Sequence, residues 1–401
     1  MSSKKVELLA PAGSLERLKI AYLYGADAVY IGGQIYSMRA NAKNFSLDDI
    51  KEACLIAHDL GKKVYVTVNI VFHNEDFNGL VDYLKNLADY GVDAIIASDM
   101  AIIDIIRDNE INLPIHISTQ MSNANYESVM YLKNEGVERV VLARESSKEN
   151  TKEIIDKTGI EIECFLHGAM CSSYSGRCVL SNYFTNRDAN RGGCAQICRW
   201  CFDLEDENNP ITSDTQFTMS CKDLSLIRQL KDMIDIGITS LKVEGRMRSN
   251  YYIATVISTY REAIDHYYAG TLDDEKIEYY SKVLNRVANR ESTSQFFDKF
   301  PGVDEQYFLG RQEVSNQDFL GIVLDYNCDT NEVTLEQRNY FKKGDTVEVF
   351  GPNIETFTFI IPDIYDEEGN LLEVARHPKQ IIKFKLEKEI YKDDIMRVKI
   401  L

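Results

Sequence analysis

The chain has 401 residues, 44% of them hydrophobic, and a formal net charge of −18 at pH 7. That length supports a large core, in one big domain with a smaller companion or in two of similar size, and that charge argues against a surface coated in basic patches without excluding a local one. No stretch approaches the roughly 18 consecutive apolar residues of a membrane span, and MSSKKVELLAPAGS enters a strand-like pattern without a charged region and apolar run before it, so the expectation is a cytoplasmic protein with no signal peptide and no membrane contact.

Over residues 1–270, strand-like and helix-like runs alternate. VELLAP precedes an amphipathic LERLKIAYLYG. AVYIGG precedes a helix from Leu47 to about Leu60, with Ser46 as its N-cap. KVYVTVN precedes a helix from about Asp76 to Tyr90. AIIASD, PIHIST, ERVVLA, EIECFLHG and SLKVEG complete the set, and a helix from about Asn250 to Tyr268 follows the last. Eight strands are expected, near 6–9, 28–32, 63–69, 94–98, 114–118, 138–142, 161–166 and 240–244. Short apolar strands alternating with helices imply a parallel sheet with helices outside, an α/β class. Eight such units predict a TIM-barrel-like parallel (β/α)8 domain; a doubly wound open sheet has the same strand count. A cysteine-rich insert spans 168–215 within it.

Residues 271–304, including DDEKIEYYSKVLNRVANR, read as a helical connector. Residues 305–401 show period-2 strands and turns (FLGIVLDY, EVTLEQ, DTVEVFG, TFTFIIPDIYD, IIKFKLE), which predicts a small all-β, barrel-like C-terminal domain. DYNCDTNEVTLE, Asp325 to Glu336, imitates a calcium-binding EF-hand loop but lacks its central glycine and is flanked by strands, so it reads as a β-hairpin.

The insert concentrates thiols. Cys171, Cys178, Cys194, Cys198 and Cys201 are spaced C-x6-C-x15-C-x3-C-x2-C. In a reducing compartment such clusters bind metal or do chemistry rather than form disulfides. Zinc sites favour two tight knuckles, whereas here only the second pair is tight; loose spacing suits an iron–sulfur cluster, with buried structural thiols as the plainer reading. Four of the five suffice, and Cys198 and Cys201 compete for the fourth place. Arg177, Arg187, Arg191 and Arg199 lie among them with one acid, Asp188, a local excess of positive charge.

The insert follows the seventh strand at its C-terminal end, which in such a barrel is the active face. Asn69, Ser118, Gln120, Arg144, Glu145, His167, Glu244 and Arg246 each lie at or just after a strand on that face. Each has a plainer reading: a helix cap or loop contact, a Glu244–Arg246 ion pair, a hydrogen-bonded core histidine for His116 or His167. Arg246 and Arg248 offer planar forks suited to carboxylate or phosphate. No zinc-protease, hydrolase-elbow or P-loop motif occurs.

The run ECFLHGAMCSSYSGRCVLS, Glu163 to Ser181, resembles the signature of the collagenase-like peptidase family U-32 at every fixed position. ELLAPAGS, GADAVYIGG, RDANRGGCAQICRW and LKVEGRMRS add to the likeness over about the first 270 residues, and the all-β tail resembles an extra domain of one branch. Within the family the chain resembles the prephenate-dependent tRNA uridine hydroxylation proteins. That resemblance implies oxygen-independent formation of 5-hydroxyuridine at the anticodon wobble position, a 4Fe–4S cluster, prephenate as co-substrate and tRNA as partner, with a paralogous protein partner also conceivable. It places the cluster on Cys171, Cys178, Cys194 and Cys198, with Cys201 as alternative fourth ligand and Cys221 as an extra thiol ranked below them. His167, Glu244 and Arg246 become the candidate catalytic residues. Arg144, Arg177, Arg191, Arg199, Arg248, Asn69 and Gln120 become candidate contacts to RNA or a small dicarboxylate. A protease using Cys171 with His167, and a non-catalytic RNA-binding factor with structural zinc, are the competing classes.

Overall fold

The computed structural model describes residues 5–38, 44–207, 209–210, 216–288, 290–308 and 317–400. Residue 208 and residues 211–215, at the end of the cysteine-rich insert, lie outside the described residues. The chain divides into two compact units, one of residues 1–277 and 290–313, the other of residues 278–289 and 314–401.

The first unit is a closed barrel. Its strands are β1 (Glu7–Pro11), β2 (Ala28–Gly32), β3 (Lys63–Val68), β4 (Ala94–Ala97), β5 (Ile115–Ile117), β6 (Arg139–Val141), β7 (Glu161–Gly168) and β8 (Ser240–Val243). Each pairs in parallel with the next, and β8 pairs in parallel with β1, Leu8 opposite Leu241. That last pairing abolishes both edges and decides for the (β/α)8 barrel over an open sheet. Burial of both faces explains why AVYIG and AIIA are apolar throughout. Helices α1 (Leu15–Leu23), α2 (Leu47–Asp59), α3 (Leu80–Asp89), α4 (Ala101–Asp108), α5 (Tyr126–Asn134) and α6 (Lys148–Thr158) follow the first six strands. Several begin with a side-chain cap: Ser14 accepts from the Arg17 amide, Asn125 from that of Ser128, and Ser46 forms a reciprocal capping box with Asp49.

The barrel interior mixes apolar and charged groups. Leu9, Ala28, Tyr30, Tyr65, Ala94 and Ile96 form one buried cluster. Toward the N-terminal end, Arg139 meets Glu7 at 2.6 Å, Glu161 at 2.7 Å and Glu163 at 3.3 Å, while Lys242 meets Glu163 at 2.6 Å. Tyr65 and Ser240 donate to Glu7 at 2.7 and 2.8 Å. His116 is buried beside the Tyr65 ring, and burial holds its pKa well below the usual value.

After β7 the insert contributes the short α7 (Leu180–Thr185) and returns through a strand at Asp223–Ser225 that runs antiparallel to the end of β7. Then come α8 (Leu230–Asp235), β8, α9 (Asn250–Ala269) and α10 (Asp274–Val287). The segment read as a connector divides between the units: residues 278–289 belong to the β unit, and residues 290–313 return to the barrel. There Ser292–Thr293 pairs in parallel with Asp223–Leu224, and Tyr307 N–H donates to Ser220 O at 2.9 Å.

The second unit is antiparallel. Strands β9 (Phe319–Asn327), β10 (Glu332–Gln337), β11 (Thr346–Gly351), β12 (Ile354–Ile360), β13 (Ile381–Lys385) and β14 (Ile395–Val398) lie in the order β12-β11-β14-β9-β10-β13, extended by two short strands. They enclose a core that includes Val323, Leu335, Phe341, Ile382 and Phe384. The EF-hand imitation is the β9–β10 hairpin, with Asn327 opposite Glu332. Tyr279 and Arg397 both reach Glu348, at 3.0 and 2.7 Å, tying α10 to this sheet.

Candidate functional site

β7 ends at Gly168, whose φ is +119° and where an added Cβ would fall 2.8 Å from the Glu244 carbonyl oxygen, leaving no room for a side chain. The chain therefore turns sharply there and enters the insert at the barrel's C-terminal mouth. Glu145 fixes the first loop by accepting from the Ser175 amide and hydroxyl, both at 2.7 Å. Asn190 clamps Cys178 from both sides, accepting from its N–H at 3.1 Å and donating to its carbonyl at 2.9 Å. Thr218 donates to the Cys198 carbonyl at 3.2 Å.

Beyond these anchors, Cys178 and Cys198 act electrostatically on Cys171, and Cys171 and Cys198 on Cys221. Burial pushes the Cys171 thiol up, and the neighbouring Cys198 and Cys178 thiols push it further, against a backbone N–H from Ser173 and the Arg144 guanidinium. Burial likewise pushes Cys221 up to about 11, with Cys171 and Cys198 adding to the rise. Cys171, Cys178, Cys198 and Cys221 are all partly buried, whereas Cys194 and Cys201 are exposed. Cys221, expected only as an extra thiol, thus lies near enough to Cys171 and Cys198 to feel their charge. The reason is topological. The Asp223–Ser225 strand returns alongside β7 and delivers Cys221 to the thiols that follow it.

The donor set fits an iron–sulfur cluster. Backbone amides reach two of the sulfurs, from Ser173 to Cys171 and from Leu180 to Cys178 at 3.4 Å. Such N–H donors stabilise cluster-bound thiolates. Among the described residues no three His, Cys, Asp or Glu side chains are gathered as ligands of a metal ion.

The other expected residues separate into distinct groups. Arg246 is buried and donates to Ser37 Oγ at 2.8 Å, Thr67 Oγ1 at 3.3 Å and the Met38 carbonyl. A Cβ on Gly32 would fall 2.0 Å from its guanidinium, which is why AVYIGG ends in glycine. Asn69 accepts from Met38 N–H at 3.2 Å and donates to Ser118 at 3.5 Å. Together they make a polar floor under the mouth. Arg144 lies 3.7 Å over the Phe165 ring and donates to the Ala169 carbonyl beside Cys171.

Two arginines pin the insert. Arg177 donates to the Gln120 carbonyl at 2.6 Å, and Arg191 grips the Asp76 carboxylate bidentately and the Val71 carbonyl at 2.8 Å. The Arg191 contact holds the Asp76 carboxyl down at about 2. Arg191 is therefore committed within the fold. A cavity of about 320 Å³ opens beside these pins, lined by Val71, Ser98, Asp99, Arg177, Cys178, Val179 and Asn190.

His167 is buried, 3.3 Å from the Tyr260 hydroxyl and edge-on to its ring. Burial, then Arg248, pull its pKa down to about 3. It is held neutral and is a poor proton acceptor. The Cys171–His167 pair imagined for a protease therefore has a thiol whose ionisation is suppressed and a base that is weak. Glu244, half-buried at the end of β8, acts electrostatically on Asp223 and Tyr252. Arg199 and Arg248 gather around Asp223 with Arg290.

Residues 13–307 match peptidase family U32, and residues 315–397 match the peptidase family U32 C-terminal domain. The chain belongs to peptidase family U32. A tRNA hydroxylation protein P1 of Bacillus subtilis is 52% identical, covering 98% of this U32 chain and 95% of its own length. A 23S rRNA 5-hydroxycytidine C2501 synthase of Escherichia coli is 38% identical over 66% of this chain and 40% of its own. A collagenase of Porphyromonas gingivalis is 36% identical over 78% and 75%.

Sequence reasoning missed Asp223, Arg290, Tyr252 and Tyr260 at this U32 mouth. Cys221 was visible as a sixth thiol near the insert. Nothing local marked Arg290, which lies 67 residues from its partner.

Proposed function

We propose that this chain is an iron–sulfur RNA hydroxylase that converts a tRNA wobble uridine to 5-hydroxyuridine without dioxygen, with prephenate as co-substrate. The observation that carries this reading is that Cys171 feels Cys178 and Cys198, and Cys221 feels Cys171 and Cys198, where the Asp223–Ser225 strand returns beside the end of β7. The 52% identity to a tRNA hydroxylation protein over nearly the full chain supports the substrate. Those four cysteines would hold a 4Fe–4S cluster, which supplies one-electron transfer when bound.

The chain's own residues do the rest. Tyr174, Tyr183 and Phe184 are exposed on the insert, Tyr183 to 84%, beside exposed Arg177 and Arg187. Aromatic faces interleaved with arginines suit stacking and backbone contact with single-stranded RNA, so an anticodon loop can bind there despite the global negative charge. The cavity beside Cys178 is at the small end for a ligand pocket and has room for one splayed base. Glu244 takes the acid–base role, and Arg246 positions the mouth from its buried site. The cytoplasm is the matching compartment; among the described residues no helix is long and apolar enough to cross a membrane.

The test is metal and sulfide analysis of protein purified without oxygen, followed by mass spectrometry of tRNA nucleosides from a deletion strain with and without the gene restored. About four irons and four sulfides per chain are expected, with 5-hydroxyuridine restored by the wild-type gene. Zinc without iron after anaerobic reconstitution, or an unchanged nucleoside profile, overturns the reading.

A further inference from the structure

The motif RDANRGG, Arg187 to Gly193, does more for Cys178 than set charge beside it. Asn190 accepts from the Cys178 N–H at 3.1 Å and donates to the Cys178 carbonyl at 2.9 Å. A side-chain amide paired with both backbone groups of one residue acts as a neighbouring strand would, and it fixes φ and ψ on either side of that Cα. The direction of the Cys178 Cα–Cβ bond is thereby set. Its Sγ in turn accepts from the Leu180 N–H at 3.4 Å, which selects the side-chain rotamer. The sulfur is thus located from the backbone outward.

Asn190 is itself held by the barrel. Asp188 accepts from the Asn190 N–H at 2.9 Å, capping a single turn over Ala189–Arg191. The Val71 N–H, in the loop after β3, donates to the Asn190 carbonyl at 3.0 Å. Arg191 returns the contact by donating to the Val71 carbonyl at 2.8 Å and gripping Asp76. Beyond the turn, Gly193 passes so near Asp188 that an added Cβ would fall 2.8 Å from its carbonyl oxygen. The frame that orients Cys178 is therefore a barrel loop rather than the stretch of insert that carries the thiol. Asn190 and Cys178 also share the wall of the cavity of about 320 Å³.

We propose that Asn190 is a positioning residue for the Cys178 sulfur, holding it in ligating geometry before any metal arrives. A cysteine free to rotate must surrender that freedom on ligation, which weakens binding; one already fixed does not. The ordering of the thiol stands apart from the reaction, whereas its value to a 4Fe–4S cluster rests on the function proposed above. For such a cluster the clamp has a second effect. The Leu180 N–H stays on the sulfur only while Cys178 is held. An N–H donor on a ligand sulfur stabilises the more negative, reduced cluster and so raises its potential.

The experiment compares the full wild-type chain with Asn190→Ala and Asn190→Asp. After a chelator has removed metal under reducing conditions, alkylation of Cys178 by iodoacetamide is timed by peptide mass spectrometry, with the exposed Cys194 as internal standard. Cys178 should react about tenfold faster in Asn190→Ala, the scale that losing two hydrogen bonds implies, with Cys194 unchanged. Asn190→Asp keeps the acceptor for the Cys178 N–H and loses the donor to its carbonyl, so its rate should fall between the two. It also keeps the clamp testable if thermal melting shows that Asn190→Ala unfolds early. Thr185→Val removes a hydrogen bond to the Ser181 carbonyl elsewhere in the insert and should leave Cys178 at the wild-type rate. After anaerobic reconstitution, Asn190→Ala should lose iron to chelator faster and show a lower reduction potential. A wild-type chain that takes up no iron sinks the hydroxylase reading, while the alkylation rates still decide on the clamp. Equal Cys178 alkylation in the wild type and both Asn190 variants, equal acceleration by Thr185→Val, or wild-type potential and iron retention in Asn190→Ala would overturn the proposal.

Discussion

The two ends of the barrel use the same kinds of side chain to opposite effect. At the N-terminal end, Arg139 and Lys242 are almost wholly buried and each lies against a carboxylate, with Tyr65 and Ser240 filling the remaining oxygens of Glu7. At the C-terminal mouth, Arg248 and Arg290 both approach Asp223, and among the described residues the buried Arg290 Nε has no acceptor. A saturated ion network holds strands in register. The placement of charge thus separates a structural end from a chemical end, although both read as polar residues in apolar strands.

The largest expected effect breaks the chemical end. Cys221→Ser should abolish iron binding and 5-hydroxyuridine formation, whereas Cys194→Ser should keep both, read by metal analysis and nucleoside mass spectrometry. The reverse result would return the fourth ligand to Cys194. Next comes the structural end. Glu163→Gln leaves Arg139 and Lys242 without their shared acid and should cost about 3–5 kcal/mol in denaturant unfolding. Arg248→Gln, on the half-exposed rim, should move the same midpoint by less than about 0.5 kcal/mol.

A third case sharpens the contrast within the β unit. Asp394 is fully buried, accepts from the Tyr391 amide at 2.7 Å and has its other oxygen without a partner. Burial raises its pKa to about 6. Because the folded value lies above the unfolded one, its contribution is present below about pH 4 and is lost as pH rises through 6. Asp394→Asn should therefore stabilise this unit by roughly 1–3 kcal/mol at pH 7.5 and flatten its melting profile between pH 4 and 6.

The smallest effect is at Asp76, held at about 2 by Arg191. A depressed folded value gives stability that is present above the unfolded value and lost as pH falls toward 2. Asp76→Asn should cost about 1 kcal/mol at pH 7 and much less at pH 2.5, measured by urea unfolding at the two pH values.

The barrel was legible because its information is local. Apolar runs such as AVYIG and AIIA, alternating with amphipathic helices and Ser46 at a cap, carry period and punctuation in adjacent residues. The signature from Glu163 to Ser181 likewise located the thiols. What stayed hidden depends on pairing across the fold. Cys221 follows Cys201 by 20 residues and is brought back toward the earlier thiols because Leu224 lies against Gly168. Whether Arg191 faces a ligand or Asp76 cannot be read from RGGC, since the answer lies 115 residues upstream. His167 shows the same limit: its place beside the signature was visible, but the burial that weakens it as a base was not.

The return of residues 290–313 to the barrel makes the catalytic domain discontinuous. Excising a continuous piece that ends after the eighth strand and its helix would remove Arg290 and the strand that braces Asp223, even though every barrel strand would remain. Of the β unit, only residues 278–289 precede that return; the rest, residues 314–401, follows it. A truncation after residue 313 would instead keep Arg290 and that strand with the barrel while removing most of the β unit.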